Sequence, residues 1–142
     1  MTVSKSIVFD TWPIMAYLQG EPPTERIIEI IANANESRDS LLMSVVNAGE
    51  VWYSIAKRSD ATNADRAIAM IRSLGIEFIE VDWPTTQIAA RYKALGGISY
   101  ADCFAAALTR KTATDTDRAS CVLITGDREF EQLENEIEIV WL

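Results

Sequence analysis

The sequence contains no histidine. Without an imidazole there is no Ser-His-Asp or Cys-His nucleophile system, no histidine general base and no His-ligated zinc site. Acid and metal chemistry therefore has to come from carboxylates. Cysteine is nearly absent as well. Cys103 and Cys121 have neither metal-ligand spacing nor a disulfide framework, and they read as reduced core thiols, one on a helix and one just before a strand. The opening residues, Met1 to Ile7, run straight into a short apolar strand. They lack the apolar stretch of a signal peptide and the roughly 18 or more apolar residues of a membrane span, so a cytoplasmic location without membrane attachment is expected. No Pro/Gly/Ser-rich linker, charge run or internal repeat divides the chain. With 142 residues and 49% hydrophobic content, one domain spanning 1–142 is expected to bury one core. Basic residues are the minority, 13 Lys and Arg against 21 Asp and Glu, for a formal net charge of -8. That balance argues against loose electrostatic attachment to nucleic acid, although a metal-neutralised pocket with local basic residues is still compatible with a nucleic-acid enzyme. It also favours a basic protein partner.

What is present is an alternation of short apolar runs and amphipathic stretches. Ile7 to Phe9, Leu41 to Ser44, Ile76 to Val81, Val122 to Thr125 and Ile137 to Trp141 read as strands. A helix starts at Thr11, with Pro13 in its first turn, and stops at Gly20-Glu21-Pro22-Pro23. Thr24 reads as the cap of a second helix carrying Ile27, Ile28, Ile30 and Ile31, followed by a polar connection from Asn33 to Ser40. Further helices are expected from Val45 to Arg58, Ala64 to Leu74, Thr85 to Leu95 and after Ser99, with a short one near Phe130 to Leu133. Thr112 to Ser120 reads as a polar loop. Parallel strands need crossover helices, so the pattern predicts an α/β fold, a three-layer α/β/α sandwich around a mainly parallel sheet.

In such sheets ligands bind beyond the carboxyl ends of the strands, where strand order reverses. Four carboxylates sit at strand ends or helix starts: Asp10, Glu50, Asp102 and Asp127. Each also has a bland explanation. Asp102 follows Ser99 at capping-box spacing, and Glu50 borders a polar stripe with Asn47, Ser54 and Lys57, where a solvated glutamate is ordinary. Asp10 and Asp127 could be helix caps or turn residues. The joint pattern is stronger than its members. If the first and fourth strands are neighbours, Asp10 and Asp127 face each other, and Glu50 and Asp102 close the pocket from above. Several carboxylates at one locus raise one another's pKa unless a cation neutralises them, and an all-oxygen set favours Mg²⁺ or Mn²⁺ over zinc. Asp115 and Asp117 read as solvated loop acids, and Trp12, Trp52, Trp83 and Trp141 as core or interface anchors, core before interface.

The strand ending in Asp10-Thr11, the segment Asn47-Ala48-Gly49-Glu50-Val51, the helix start Ser99-Tyr100-Ala101-Asp102-Cys103-Phe104 and Thr125-Gly126-Asp127 with Phe130 together resemble the PIN domain. More narrowly, they resemble the VapC-type toxins of prokaryotic toxin-antitoxin pairs, over nearly the whole chain. The resemblance implies a five-stranded parallel sheet in the order 3-2-1-4-5 and a Mg²⁺-dependent endoribonuclease acting on RNA. It further implies that Asp10, Glu50, Asp102 and Asp127 form a catalytic, metal-binding quartet, with Asp10 and Asp102 foremost and Thr125 as a supporting hydroxyl. A cognate antitoxin and a homodimer are also implied. The sequence departs from the pattern at Trp12-Pro13, where smaller residues are usual, which bears on the pocket's rim.

The expected chemistry is in-line attack on a phosphodiester by a water that one or two metal ions acidify. Lys57, Arg58, Arg91, Lys93, Arg110, Lys111 and Arg128 are candidates for the RNA backbone. Rival readings fit less well. A receiver domain would place Asp82 after the third strand but would want a second acid beside Asp10, where Thr11 stands. An aspartyl phosphatase would want an acid at Trp12, and a silent PIN-fold binding protein would have lost one of the quartet.

Overall fold

The computed structural model describes residues 4–142. Its sheet grows outward from the most apolar run in the chain. β1 (Ser6–Phe9) is buried from Ile7 onward, as expected of a central parallel strand covered on both faces. β2 (Ser40–Ser44) and β4 (Cys121–Thr125) flank it, and β3 (Ile76–Ile79) and β5 (Glu138–Trp141) form the edges. All pairs are parallel, and the order is β3-β2-β1-β4-β5, as the resemblance implied. The register sets Phe9 opposite Ile124, so the two central strands end side by side.

Alternating side chains divide the apolar residues between two faces. On one, Val8, Leu42 and Leu123 pack against α5 (Trp83–Leu95) and α6 (Tyr100–Thr112). On the other, Ile7, Phe9, Met43 and Ile124 meet α1 (Thr11–Leu18), α2 (Thr24–Ser37), α3 (Val45–Arg58) and α4 (Ala61–Ser73). The expected three layers are thus formed. α6 is the most enclosed helix, buried without a break from Asp102 to Thr109. Ala105-Ala106-Ala107 makes that possible, because small side chains let the helix axis approach both the sheet and α5. Among the described residues, no helix is long and apolar enough to cross a membrane.

Several sequence expectations are corrected. Thr24 does not cap α2. It is the first helical residue, preceded by Pro23 in a helical conformation, and its hydroxyl donates to the Glu21 carbonyl at 2.7 Å. The polar stretch from Asn33 does not leave the helix. It stays helical to Ser37, because Ala34 is buried while its polar neighbours face water, and Arg38 ends it at φ 61°. α4 and α5 begin earlier than their apolar patterns suggest, since Asp60 caps Asn63 N–H at 2.7 Å and Asp82 caps Thr85 N–H at 2.9 Å. β3 accordingly stops at Ile79 instead of Val81. Of the four tryptophans, Trp12 and Trp141 pack against the core, whereas Trp52 and Trp83 do not. Trp83 is 68% exposed and Trp52 36%, and Trp12 and Trp141 are half-buried. Trp52 has its polar edge engaged at the surface, where Nε1 donates to Asp65 Oδ1 at 2.9 Å and joins α3 to α4. Both thiols are free and buried, with Cys121 inside β4, and burial pushes Cys103 up to about 11 and Cys121 up to about 12.

Candidate active site

Asp10 follows β1 directly, and Asp127 comes two residues after β4. Because β1 and β4 are neighbours, both acids arrive at the same place above the sheet. α6 begins there too, and the three carboxylates Asp10, Asp102 and Asp127 offer oxygens that all lie within 4.8 Å of one another. They line an open cleft of about 460 Å³, together with Thr11, Trp12, Glu50, Ser99 and Glu129.

Asp10 is fully buried. Its Oδ2 accepts from Thr125 Oγ1 at 3.2 Å, and the same hydroxyl accepts from Asp127 N–H at 3.0 Å. One buried threonine therefore fixes both acids. Among the described residues, Asp10 Oδ1 is buried with no hydrogen-bond partner. Burial, foremost, and then the charge of Asp102 hold the Asp10 carboxyl well above the ordinary range, against the opposing hydrogen bond from Thr125.

Asp102 stands in the first turn of α6, where Ser99 Oγ accepts its N–H at 3.2 Å. That is half of a capping box. In the other half Asp102 would receive the Ser99 N–H, but that group donates to Glu129 Oε2 at 3.4 Å. Capping therefore leaves the Asp102 carboxylate to the cleft. Burial, then its contact with and charge from Asp127, then Glu129, push Asp102 up to about 8, with Ser99 opposing. Asp127 does both of the jobs its sequence position suggested. Its Oδ1 accepts from Glu129 N–H at 3.0 Å, capping the 3₁₀ turn Arg128–Leu133, while it also joins the cluster.

Glu50 lines the same cleft from α3 but stands outside the cluster, half-buried, with Oε2 accepting from Tyr53 OH at 3.4 Å. Two residues were missed in the sequence. Asn47 is fully buried and its Nδ2 donates to Thr11 Oγ1 at 3.3 Å and to the Ala101 carbonyl at 3.1 Å, tying the starts of α1 and α6 together. Its Oδ1 has no partner. Helical periodicity put Asn47 on a polar stripe, and only packing shows that the stripe faces inward at this point. Glu129 stands two residues after Asp127, and that spacing was the sole hint of its place in the cleft.

Arg58 stands beside the cleft, in an adjoining pocket that shares Met15 and Gln19 with it, and the other candidates whose contacts are described lie elsewhere. Among the described residues no Lys or Arg lines the acidic cleft. Arg91, Arg110 and Lys111 line a separate cleft between α5 and α6, Lys93 Nζ donates to the Ile98 carbonyl at 2.9 Å, and Arg128 stacks over Trp141 at 4.5 Å. Asp82 is remote in role as well. It caps α5 and pairs with Lys111 at 2.6 Å, so it supplies no receiver-type phosphorylation site.

A parallel sheet with the order 3-2-1-4-5 and acids converging from β1, α6 and β4 is the setting in which the sequence comparison becomes informative. The family model described as PIN domain matches residues 7–136. The chain belongs to the PIN domain family. No curated protein matches the sequence. Several solved structures share the fold. VapBC-1 from nontypeable Haemophilus influenzae superposes with a TM-score of 0.66 at 18% identity, covering 96% of this chain and 97% of that one. VapBC2 from Rickettsia felis, bound to a DNA fragment from its promoter, gives 0.70 at 13% identity, covering 95% and 97%. Mycobacterium tuberculosis VapC20, described as a Sarcin-Ricin loop cleaving toxin, gives 0.64 at 18%, covering 89% and 93%. In this PIN domain the donors are all hard oxygens, and the buried, unpartnered Asp10 Oδ1 beside two further carboxylates fits a divalent cation.

Proposed function

We propose that this PIN domain is the toxin of a VapBC-type pair, a Mg²⁺-dependent endoribonuclease for which Mn²⁺ is a substitute. The observation that carries the reading is the buried convergence of Asp10, Asp102 and Asp127, with one oxygen of Asp10 left without a partner. Likeness in fold to VapBC complexes and to a toxin that cleaves the Sarcin-Ricin loop supports RNA as the substrate and an antitoxin as the partner. A homodimer in the cytoplasm is part of the same reading.

In this reading Asp10, Asp102 and Asp127 hold the metal, and Glu50 completes the quartet at the cleft's edge. A divalent ion there supplies a Lewis acid that acidifies water and offsets charge on the phosphoryl group. The chain's own groups prepare that site. Thr125 orients Asp10 and Asp127 at once, and Asn47 locks the two helix starts that deliver Asp10 and Asp102. Glu50 and Glu129 add to a negative field that draws a cation in. With no Lys or Arg in the lining, the same field repels a phosphodiester until the acids are neutralised. RNA affinity should therefore require the divalent metal and not merely cleavage.

The test is cleavage of a pool of small structured RNAs by the purified chain, with Mg²⁺ or Mn²⁺ against EDTA, beside Asp10→Asn. Metal-dependent cleavage lost in the variant is expected. Cleavage that survives in EDTA or in Asp10→Asn would sink the carboxylate-metal mechanism.

A further inference from the structure

The cleft poses a problem of affinity. Among the described residues its lining holds six carboxylates, Asp10, Glu21, Glu50, Asp102, Asp127 and Glu129, and no cationic side chain. Attraction for a nucleic-acid chain has to come partly from a group that charge repulsion does not oppose. Trp12 is the aromatic residue in that lining.

Trp12 is the second residue of α1, two positions after Asp10. Its six-membered ring rests on the Gly126 backbone so closely that a Cβ built at residue 126 would fall 2.5 Å from Cη2, 2.6 Å from Cζ2 and 2.7 Å from Cζ3. The glycine is what allows the ring to sit there, on the turn that leads to Asp127. Its backbone is held as well, because the adjoining Thr11 hydroxyl is engaged by Asn47. The ring packs against the core that contains Phe9 and Ile14, yet the residue is only half-buried. The result is a fixed, partly open aromatic surface beside the acid cluster.

We propose that Trp12 is a specificity-determining residue whose seated indole stacks on an unpaired nucleobase and so holds the neighbouring phosphodiester at the acid cluster. The assignment rests on the nuclease reading for its substrate class. Stacking suits this cleft for three reasons. Every base has a π face, so contact does not depend on phosphate charge. The ring is already ordered, so little side-chain freedom is lost on binding. A base inside a duplex has both faces covered by its neighbours, so the ring selects single-stranded segments.

The test uses a fluorescein-labelled, methylphosphonate-linked single-stranded oligonucleotide of mixed sequence, and the same strand annealed to its complement. Its neutral backbone resists hydrolysis and needs no metal, so anisotropy in EDTA reads stacking apart from charge and catalysis. Trp12→Leu should bind the single strand about tenfold more weakly than the wild type, whereas Trp12→Phe, which keeps an aromatic face, should lose only about two- to threefold. The duplex should bind the wild type more weakly than the single strand does. Calorimetric Mg²⁺ affinity should be the same in wild type and Trp12→Leu. Unchanged single-strand binding in Trp12→Leu would overturn the proposal, and so would equal losses in both variants accompanied by weaker Mg²⁺ binding, which would mark Trp12 as packing alone. If the wild type cleaves no RNA but binds the single strand through Trp12, the nuclease reading fails while the stacking assignment stands.

Discussion

Asp10 and Asp102 hold their protons more tightly in the fold than in the unfolded chain, and this has a consequence for stability in the absence of metal. Between the ordinary carboxylate pKa near 4 and the value of about 8 at Asp102, the native state binds more protons than the unfolded state, so stability falls as pH rises. The penalty is fully present above about 8 and is relieved as pH drops. Thermal unfolding scans from about pH 5 to about pH 9 in EDTA should show a falling Tm, and saturating Mg²⁺ should flatten the trend because the cation takes over the protons' role. Asp102→Asn removes one of the crowded charges. It should raise metal-free stability at alkaline pH by about 1 kcal/mol while abolishing metal-dependent cleavage, a trade of stability against function that denaturant titration and an RNA assay would measure together. Thr125→Val keeps the volume but leaves Asp127 N–H without its acceptor and removes the hydroxyl that donates to Asp10. A loss of about 1–3 kcal/mol is expected, with Mg²⁺ affinity down at least about tenfold by calorimetry.

At the scale of elements, the caps explain where the sequence was legible and where it was not. β1 and β4 were readable because a run of apolar residues buried on both faces has no polar interruption. α3 was readable at both ends, from Val45 to Arg58. α4 and α5 begin three and two residues before their expected starts, because Asp60 and Asp82 cap them ahead of the apolar repeat, and Pro84 in the first turn of α5 marks the same start. Asp60→Ala should therefore cost about 1 kcal/mol in denaturant unfolding. Lys111→Ala, which breaks the exposed pair with Asp82 but leaves the Asp82 cap in place, should leave the denaturant midpoint nearly unchanged. The small-residue run Ala105 to Ala107 is visible in the sequence, and its role appears only when α6 is seen pressed between the sheet and α5.

At the scale of the whole molecule, the site is an assembly of four distant segments, and metal binding should register as global stability. A cation that binds only the folded chain should add about 2.7 kcal/mol at a concentration 100 times its Kd, visible as a rise in Tm that the Asp10→Asn variant lacks. The sequence by itself determined the fold class, because short apolar runs separated by amphipathic helices can bury their faces in few ways, and it determined the chemistry available, because a chain without histidine must work with carboxylates. It singled out Asp10, Glu50, Asp102 and Asp127 through a pattern spread over the chain. The tertiary structure alone decided how close they stand: it gathered Asp10, Asp102 and Asp127 and left Glu50 at the cleft's edge. It also brought in Glu129 and Asn47, left the cleft lined by no Lys or Arg among the described residues, and seated Trp12 on Gly126. The physical reason is that periodicity reports which face of an element turns inward, whereas proximity between elements depends on strand order, register and helix packing, which no local pattern encodes.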